Sequence, residues 1–198
     1  VHKNCKKLMP LIHLPVQSGS NKILEAMNRK HNIEEYLEII KKLVEAKPDI
    51  KFSSDFIIGY PGETYYDFKK TIKLANTVEF INSFSFIYSP RPGTPAFDLK
   101  KIDTTDAKNR LIEFQQAAES IKNKYRKKLI RKTVKVLFEN KMKKENKFFG
   151  RDEHFNSVIV DSKYDLTGKI KNVKILKGNQ NTFFGEIISS QEQTDYAA

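Results

Sequence analysis

The sequence predicts a mixed α/β chain: a parallel βα-repeat half, then one long helix, then a small all-β barrel. Three observations carry this expectation. The strand-like segments of the first part are separated by helical patterns of about a dozen residues, and strands joined that way run parallel. A single helical pattern then runs uninterrupted from Thr105 to about Ile130. Beyond it, about five short strand patterns fall within roughly 60 residues, the density of a small OB-like barrel.

The elements follow in order. Leu11–Val16 reads as a strand that stops at the turn Gln17-Ser18-Gly19-Ser20, and a helical run begins at Asn21. Asn32 with Glu35 forms a capping-box signature for a helix carrying Tyr36, Ile39, Ile40, Leu43 and Ala46 at helical spacing. Pro48 ends that helix. Lys51–Ile58 is the second strand, and Thr64 with Asp67 caps a helix whose apolar stripe is Phe68, Ile72, Ala75 and Val78. Ser83–Tyr88 is the third strand.

Parallel strands are ordinarily apolar on both faces, and these are not. Phe52, Phe56 and Ile58 alternate with Ser53, Asp55 and Ile57; Phe84, Phe86 and Tyr88 alternate with Ser83, Ser85 and Ile87. One explanation is a sheet wetted on one face. The other, which we favour, is a barrel interior with small and polar walls, open enough for a ligand, because a filled βα barrel carries bulky branched residues inward.

The long helix has Ala107, Leu111, Phe114, Ala118, Ile121, Tyr125 and Leu129 on one side. The strand patterns after it are TVKVLFE, KFFG, SVIVD, KNVKILKG and FFGEII, and the stretch from Glu192 reads as a tail. Charge is concentrated near the junction. Between Lys122 and Arg151 thirteen Lys or Arg face only Glu139 and Glu145, so this window holds +11 of the chain's +12. Such clustering favours a polyanionic partner, nucleic acid first, over a lysine-rich solvated face. The window lacks the long apolar face of an interfacial membrane helix.

Several classes are disfavoured. No apolar run approaches the ~20 residues of a membrane span, and no signal peptide is expected, which predicts a cytosolic protein. Cys5 is the single cysteine, so no internal disulfide and no thiolate-built metal site is expected from this chain. His2, His13, His31 and His154 lack metal-ligand spacing, and no nucleophile–base triad is legible. His13 and Asp55 each read either as cavity-facing groups or as groups paired with a neighbour.

Two loops have chemical content. In DFIIGYPGET, Gly59 and Gly62 lie between a strand end and the cap Thr64, where the backbone can approach a ligand and a helix N-terminus offers free N–H groups. The spacing is not that of a P-loop. In YSPRPGTPA, Arg91 is held between Pro90 and Pro92, a rigid placement that suits carboxylate or phosphate recognition, or else a stiff surface turn.

In this order, HLPVQSGSNKILEAMNRKH, SSDFIIGYPGET and FSFIYSPRPGTPA resemble the radical-SAM methylthiotransferases. The resemblance runs from about Val1 to Ile188, and the three motifs together are specific. Pro15-Val16 and Arg91 favour the tRNA-modifying branch that acts on N6-isopentenyladenosine, the MiaB type. The branch acting on threonylcarbamoyl-adenosine is a competitor, and the ribosomal-protein branch carries an acidic residue where Arg91 stands.

The resemblance implies the C-terminal half of a radical-SAM partial barrel over 1–125, a TRAM-type RNA-binding barrel over 126–190, and a tail over 191–198. It implies S-adenosylmethionine and two [4Fe–4S] clusters as cofactors, each cluster held by three cysteines. One cluster would cleave S-adenosylmethionine to a radical that takes hydrogen from C2 of the adenine beside the anticodon, and the second would deliver sulfur. This sequence lacks those cysteines. It is therefore expected to be a truncated or split product, inactive alone, with the other half supplied elsewhere, for example by a separate chain. By the same resemblance Gln17, Ser18, Asp55, Gly59, Tyr88 and Arg91 would face the cofactor or target base. Arg126, Lys127, Lys128, Arg131 and Lys132 would grip the anticodon stem-loop of tRNA. A non-catalytic RNA-binding module is the alternative from another class, and a metabolic βα-barrel enzyme with a basic tail is a third.

Overall fold

The computed structural model describes residues 1–5, 7–143 and 146–188. The proposed tail over 191–198 lies outside them. The chain divides into two compact units, the first ending at Lys122 and the second beginning at Asn123.

The first unit is built on a three-stranded parallel sheet in the order β1 (Leu11–His13), β2 (Lys51–Ile58), β3 (Asn82–Ile87). The helices α1 (Asn21–Ala26), α2 (Ile33–Ala46) and α3 (Tyr65–Val78) alternate with the strands. Both anticipated capping boxes are present. Asn32 accepts from the Glu35 N–H at 2.8 Å while Glu35 accepts from the Asn32 N–H at 3.0 Å. Thr64 and Asp67 exchange the corresponding pair at the start of α3. Each box satisfies amide groups that a helix start otherwise leaves bare.

The first strand is shorter than the sequence suggested. Pro15 has no N–H to give to a ladder, so regular pairing stops at His13; beyond it the Leu14 N–H donates to the Ser53 carbonyl at 2.9 Å, the Val16 N–H to Ser54 Oγ at 3.0 Å, and a bridge joins Gln17 to Phe56. The core lies on one face of the sheet. Phe52, Phe56 and Ile58 of β2 pack with Tyr36 and Ile40 of α2, Phe68 and Ala75 of α3, and Phe114 of the long helix α4 (Thr104–Leu129). Phe56 and Phe114 have ring centroids 4.5 Å apart.

The opposite face departs from the expectation of small and polar walls. The parallel register sets Asp55 beside Phe84 and Ile57 beside Phe86, so the aromatic side of β3 shares a face with the polar side of β2. Phe84 and Phe86 are 52% and 57% exposed there. Ser83 and Ser85 fall on the other side by strand alternation.

The second unit contains a closed barrel of β4 (Thr133–Lys141), β5 (Lys147–Asp152), β6 (Ser157–Asp161), β7 (Ile170–Gly178) and β8 (Thr182–Ile187), in the spatial order β4-β5-β6-β8-β7. All five anticipated strand segments are used. Val136, Phe138, Phe148, Val158, Val160, Val173, Ile175 and Phe183 fill its interior. Gly150 and Gly185 allow this packing: a Cβ on either would stand 2.4 Å from a neighbouring carbonyl oxygen.

Candidate functional site

The Gln-Ser-Gly-Ser turn after β1 is held from beneath. The Gly19 N–H donates to Thr71 Oγ1 at 2.9 Å, and a Cβ on Gly19 would lie 2.5 Å from the Lys70 carbonyl oxygen. Only glycine lets this loop lie on α3. Ser20 Oγ donates to Asp67 Oδ1 at 2.7 Å and the Thr64 hydroxyl donates to Oδ2 at 2.7 Å. Burial alone would push the Asp67 carboxyl up; the Thr64 and Ser20 hydrogen bonds and the Lys22 charge outweigh it and bring the group to about 2.

This support aims Gln17. Its backbone sits at φ +72°, left-handed and costly for a residue with a Cβ. Its N–H donates to the Asp55 carbonyl at 3.0 Å and its own carbonyl accepts from the Ile57 N–H at 2.9 Å. The side chain is turned into a cavity of about 560 Å³ at the C-terminal ends of the strands. Parallel sheets bind ligands at that end.

Four of the residues singled out from sequence line this one cavity: Gln17, Asp55, Tyr88 and Arg91. Asp55 also faces His13, whose Nε2 is 3.4 Å from Asp55 Oδ2 and whose Nδ1 is 2.9 Å from Ser53 Oγ. Tyr88 stacks edge-on against Tyr60, with centroids 4.9 Å apart, and its hydroxyl is buried with no hydrogen-bond partner among the described residues. The Arg91 turn is closed by Thr94, whose hydroxyl donates to the Arg91 carbonyl at 2.8 Å.

Two residues of that set lie elsewhere. Ser18 is fully buried; its hydroxyl accepts from the Ser20 N–H at 3.2 Å and lies 3.4 Å from Thr71 Oγ1, so it belongs to the loop's anchorage. Gly59, at φ +76°, donates its N–H to Glu63 Oε2 at 3.0 Å. A Cβ there would stand 3.0 Å from that of Ala107, so this glycine serves close packing against α4. Glu63 in turn accepts from Arg110 Nη1 at 2.9 Å. Burial pushes the Glu63 carboxyl up, against the pull of Arg110 and the Gly59 N–H.

The cavity also takes Arg29, Tyr60, Phe86 and Thr94, which the sequence reading passed over. Arg29 had one available signal. It follows Asn28, at φ +57°, a residue type that ends helices in the left-handed region. Arg29 and Arg91 supply two cations, Asp55 one carboxylate, and Phe86, Tyr88 and Ile57 apolar surface. That combination suits a small zwitterionic ligand with a flat apolar part.

In the second unit the five basic candidates separate. Lys127, Lys128, Arg131 and Lys132 are exposed. Arg126 is buried, with its guanidinium 3.8 Å from the Phe183 ring centroid and Nη2 donating to the Asn179 carbonyl at 3.0 Å. It is a structural cation of the barrel and is withdrawn from the phosphate-gripping set.

Comparison with known proteins adds the chemistry. Residues 3–75 match the radical SAM superfamily model. The chain is 52% identical over 193 residues to the tRNA-2-methylthio-N(6)-dimethylallyladenosine synthase of Pelagibacter ubique (strain HTCC1062), covering 98% of this chain and 43% of that protein. The proteins of the same name from Wolbachia pipientis wMel and Agrobacterium fabrum (strain C58 / ATCC 33970) are 46% and 43% identical, over 93% and 96% of this chain. The chain thus spans less than half the length of these curated relatives, 42–43% of each. The radical SAM match covers β1, β2 and the Gln17 turn, so the strained residue of the cavity lies inside it.

Proposed function

We propose that this chain supplies one wall of the cofactor cavity and an RNA-gripping barrel to a radical-SAM tRNA methylthiotransferase. The reaction is methylthiolation of C2 of N6-isopentenyladenosine beside the anticodon, at position 37, in the cytoplasm. The observation that carries this reading is the meeting of Gln17, Asp55, Tyr88 and Arg91 at one cavity. The names of the relatives support the substrate. In this reading residues 1–125 form part of a radical-SAM barrel and 126–190 a TRAM-type domain.

S-adenosylmethionine fits the residues present. Arg91 and Arg29 would pair with its carboxylate, Asp55 with its ammonium or ribose hydroxyls, and the unpartnered Tyr88 hydroxyl with a polar edge. Phe86 and Ile57 offer flat apolar contact to the adenine. When bound, this cofactor supplies the methyl group and the radical-initiating fragment; the protein's part is to hold, orient and keep out water. Iron–sulfur clusters do not fit this chain. Cys5 is its one cysteine, it is exposed, and no group of three or more His, Cys, Asp or Glu side chains suited to a metal occurs among the described residues. The six cluster cysteines therefore come from sequence outside these 198 residues, on the same polypeptide or a partner chain.

Lys127, Lys128, Arg131 and Lys132 would hold the phosphates of the anticodon stem-loop, whose splayed bases are read separately. The test is a graft. This chain replaces the matching region of the Pelagibacter ubique relative, and tRNA nucleosides are analysed by mass. Methylthiolated isopentenyladenosine, lost with Asp55→Ala, is the expected result. Product confined to threonylcarbamoyl-adenosine, or product unaffected by Asp55→Ala, would contradict the reading.

A further inference from the structure

We propose that the tip of the β5–β6 hairpin is a stacking platform for an unpaired RNA base, with Phe155 as the ring and Arg151 as its cationic partner. The platform rests on the RNA-binding function proposed for the barrel and adds the position and the kind of nucleotide recognised.

Phe155 stands at φ +66° and is 55% exposed. A bulky aromatic in the left-handed region is strained, and such conformations persist only where surrounding structure imposes them. Here Asp152 imposes it. This carboxylate is buried; Oδ1 accepts from the His154 and Asn156 N–H groups at 2.9 and 2.8 Å, and Oδ2 accepts from Asn156 Nδ2 at 2.9 Å. Asn156 Nδ2 also donates to the Tyr125 hydroxyl at 3.1 Å, which ties the tip to the end of α4. A buried polar network thus holds a phenyl ring in solvent.

The ring is not alone. The Arg151 guanidinium lies 4.3 Å from its centroid and 5.4 Å from that of Phe149, and Glu139 Oε1 fixes Arg151 Nε at 3.1 Å. An exposed flat π face beside a cation, at the end of a window carrying +11, favours a partner that is both flat and anionic. Unpaired nucleotides have that chemistry: bases stack on aromatic and guanidinium planes while phosphates meet the surrounding cations. A duplex, whose bases are already stacked, gains nothing from the ring.

The chain contains no tryptophan, so Phe155→Trp introduces a single reporter. The full 198-residue chain is titrated with oligoadenylate, with an anticodon stem-loop and with blunt duplex RNA. Indole quenching by the first two and not by the duplex is expected. Phe155→Ala should weaken oligoadenylate binding on the order of 10-fold, with the salt slope unchanged, and Phe155→Tyr should retain it. RNA binding that persists without quenching, or undiminished binding by Phe155→Ala, would overturn the platform and leave the RNA reading standing. Equal loss in Phe155→Tyr and Phe155→Ala would overturn it in favour of a purely structural ring. Failure to bind any RNA would remove both readings.

Discussion

Gly19 and Asp67 show how single residues hold the cavity wall in place. A methyl group on Gly19 would meet backbone, the Lys70 carbonyl at 2.5 Å and Thr71 Cα at 2.6 Å, which cannot rotate away. Gly19→Ala should therefore destabilise the chain by about 2 kcal/mol, read as a lower denaturant midpoint; an unchanged midpoint would show that the loop is free to lift off α3. Asp67 sets an acid limit. Its folded value, about 2, lies below its ordinary 3.8. Its contribution is thus complete above pH ~4 and lost as pH falls toward ~2, amounting to roughly 2 kcal/mol. Ser20→Ala removes one hydrogen bond to the carboxylate and should move the acid-unfolding midpoint, followed by circular dichroism, to higher pH. At this scale the sequence was half legible. Gln17, Asp55, Tyr88 and Arg91 were chosen through the family resemblance, and ligands of parallel sheets do gather at the strand ends where they stand. Ser18 was misassigned because a serine facing a cavity and one facing a helix have the same sequence; Thr71, its neighbour, lies 53 positions on.

Elements were more legible than their faces. Both capping boxes and the bounds of β2 followed from local chemistry, since a cap and its partner are three residues apart. The orientation of β3 did not, because Phe84 and Phe86 read as core by hydrophobicity while register with β2 sets them on the open face. Register is a property of two strands and is not written in either. The Glu63–Arg110 pair, likewise invisible in sequence, joins α4 to the loop after β2. Its side chains are 0% and 13% exposed. Arg110→Ala leaves a buried carboxylate without its cation and should cost about 3 kcal/mol in urea unfolding. A cost within error of zero would mean that the Gly59 N–H suffices.

On the scale of the whole molecule, the RNA grip proposed for the second unit rests on charge. Replacing Lys127, Lys128, Arg131 and Lys132 with alanine should reduce the slope of log K against log salt for a stem-loop. The reduction should be about 0.7–0.9 for each phosphate that is no longer neutralised. An unchanged slope would place the RNA-gripping surface elsewhere. The clustering of +11 in one window was plain from sequence; the burial of Arg126 against Phe183 was not, since those residues meet only when the barrel closes. Anaerobic reconstitution of the chain with iron and sulfide should leave it without a stoichiometric cluster, because Cys5 alone cannot ligate one. The most direct measurement is calorimetric titration of the chain with S-adenosylmethionine and with S-adenosylhomocysteine. Saturable binding, weakened at least about 10-fold by Asp55→Ala and by Arg91→Ala as removal of a charged partner implies, and unaffected by the four-fold alanine variant of the second unit, is the predicted result. No binding, or binding indifferent to both cavity substitutions, would contradict the assignment of this cavity to the cofactor.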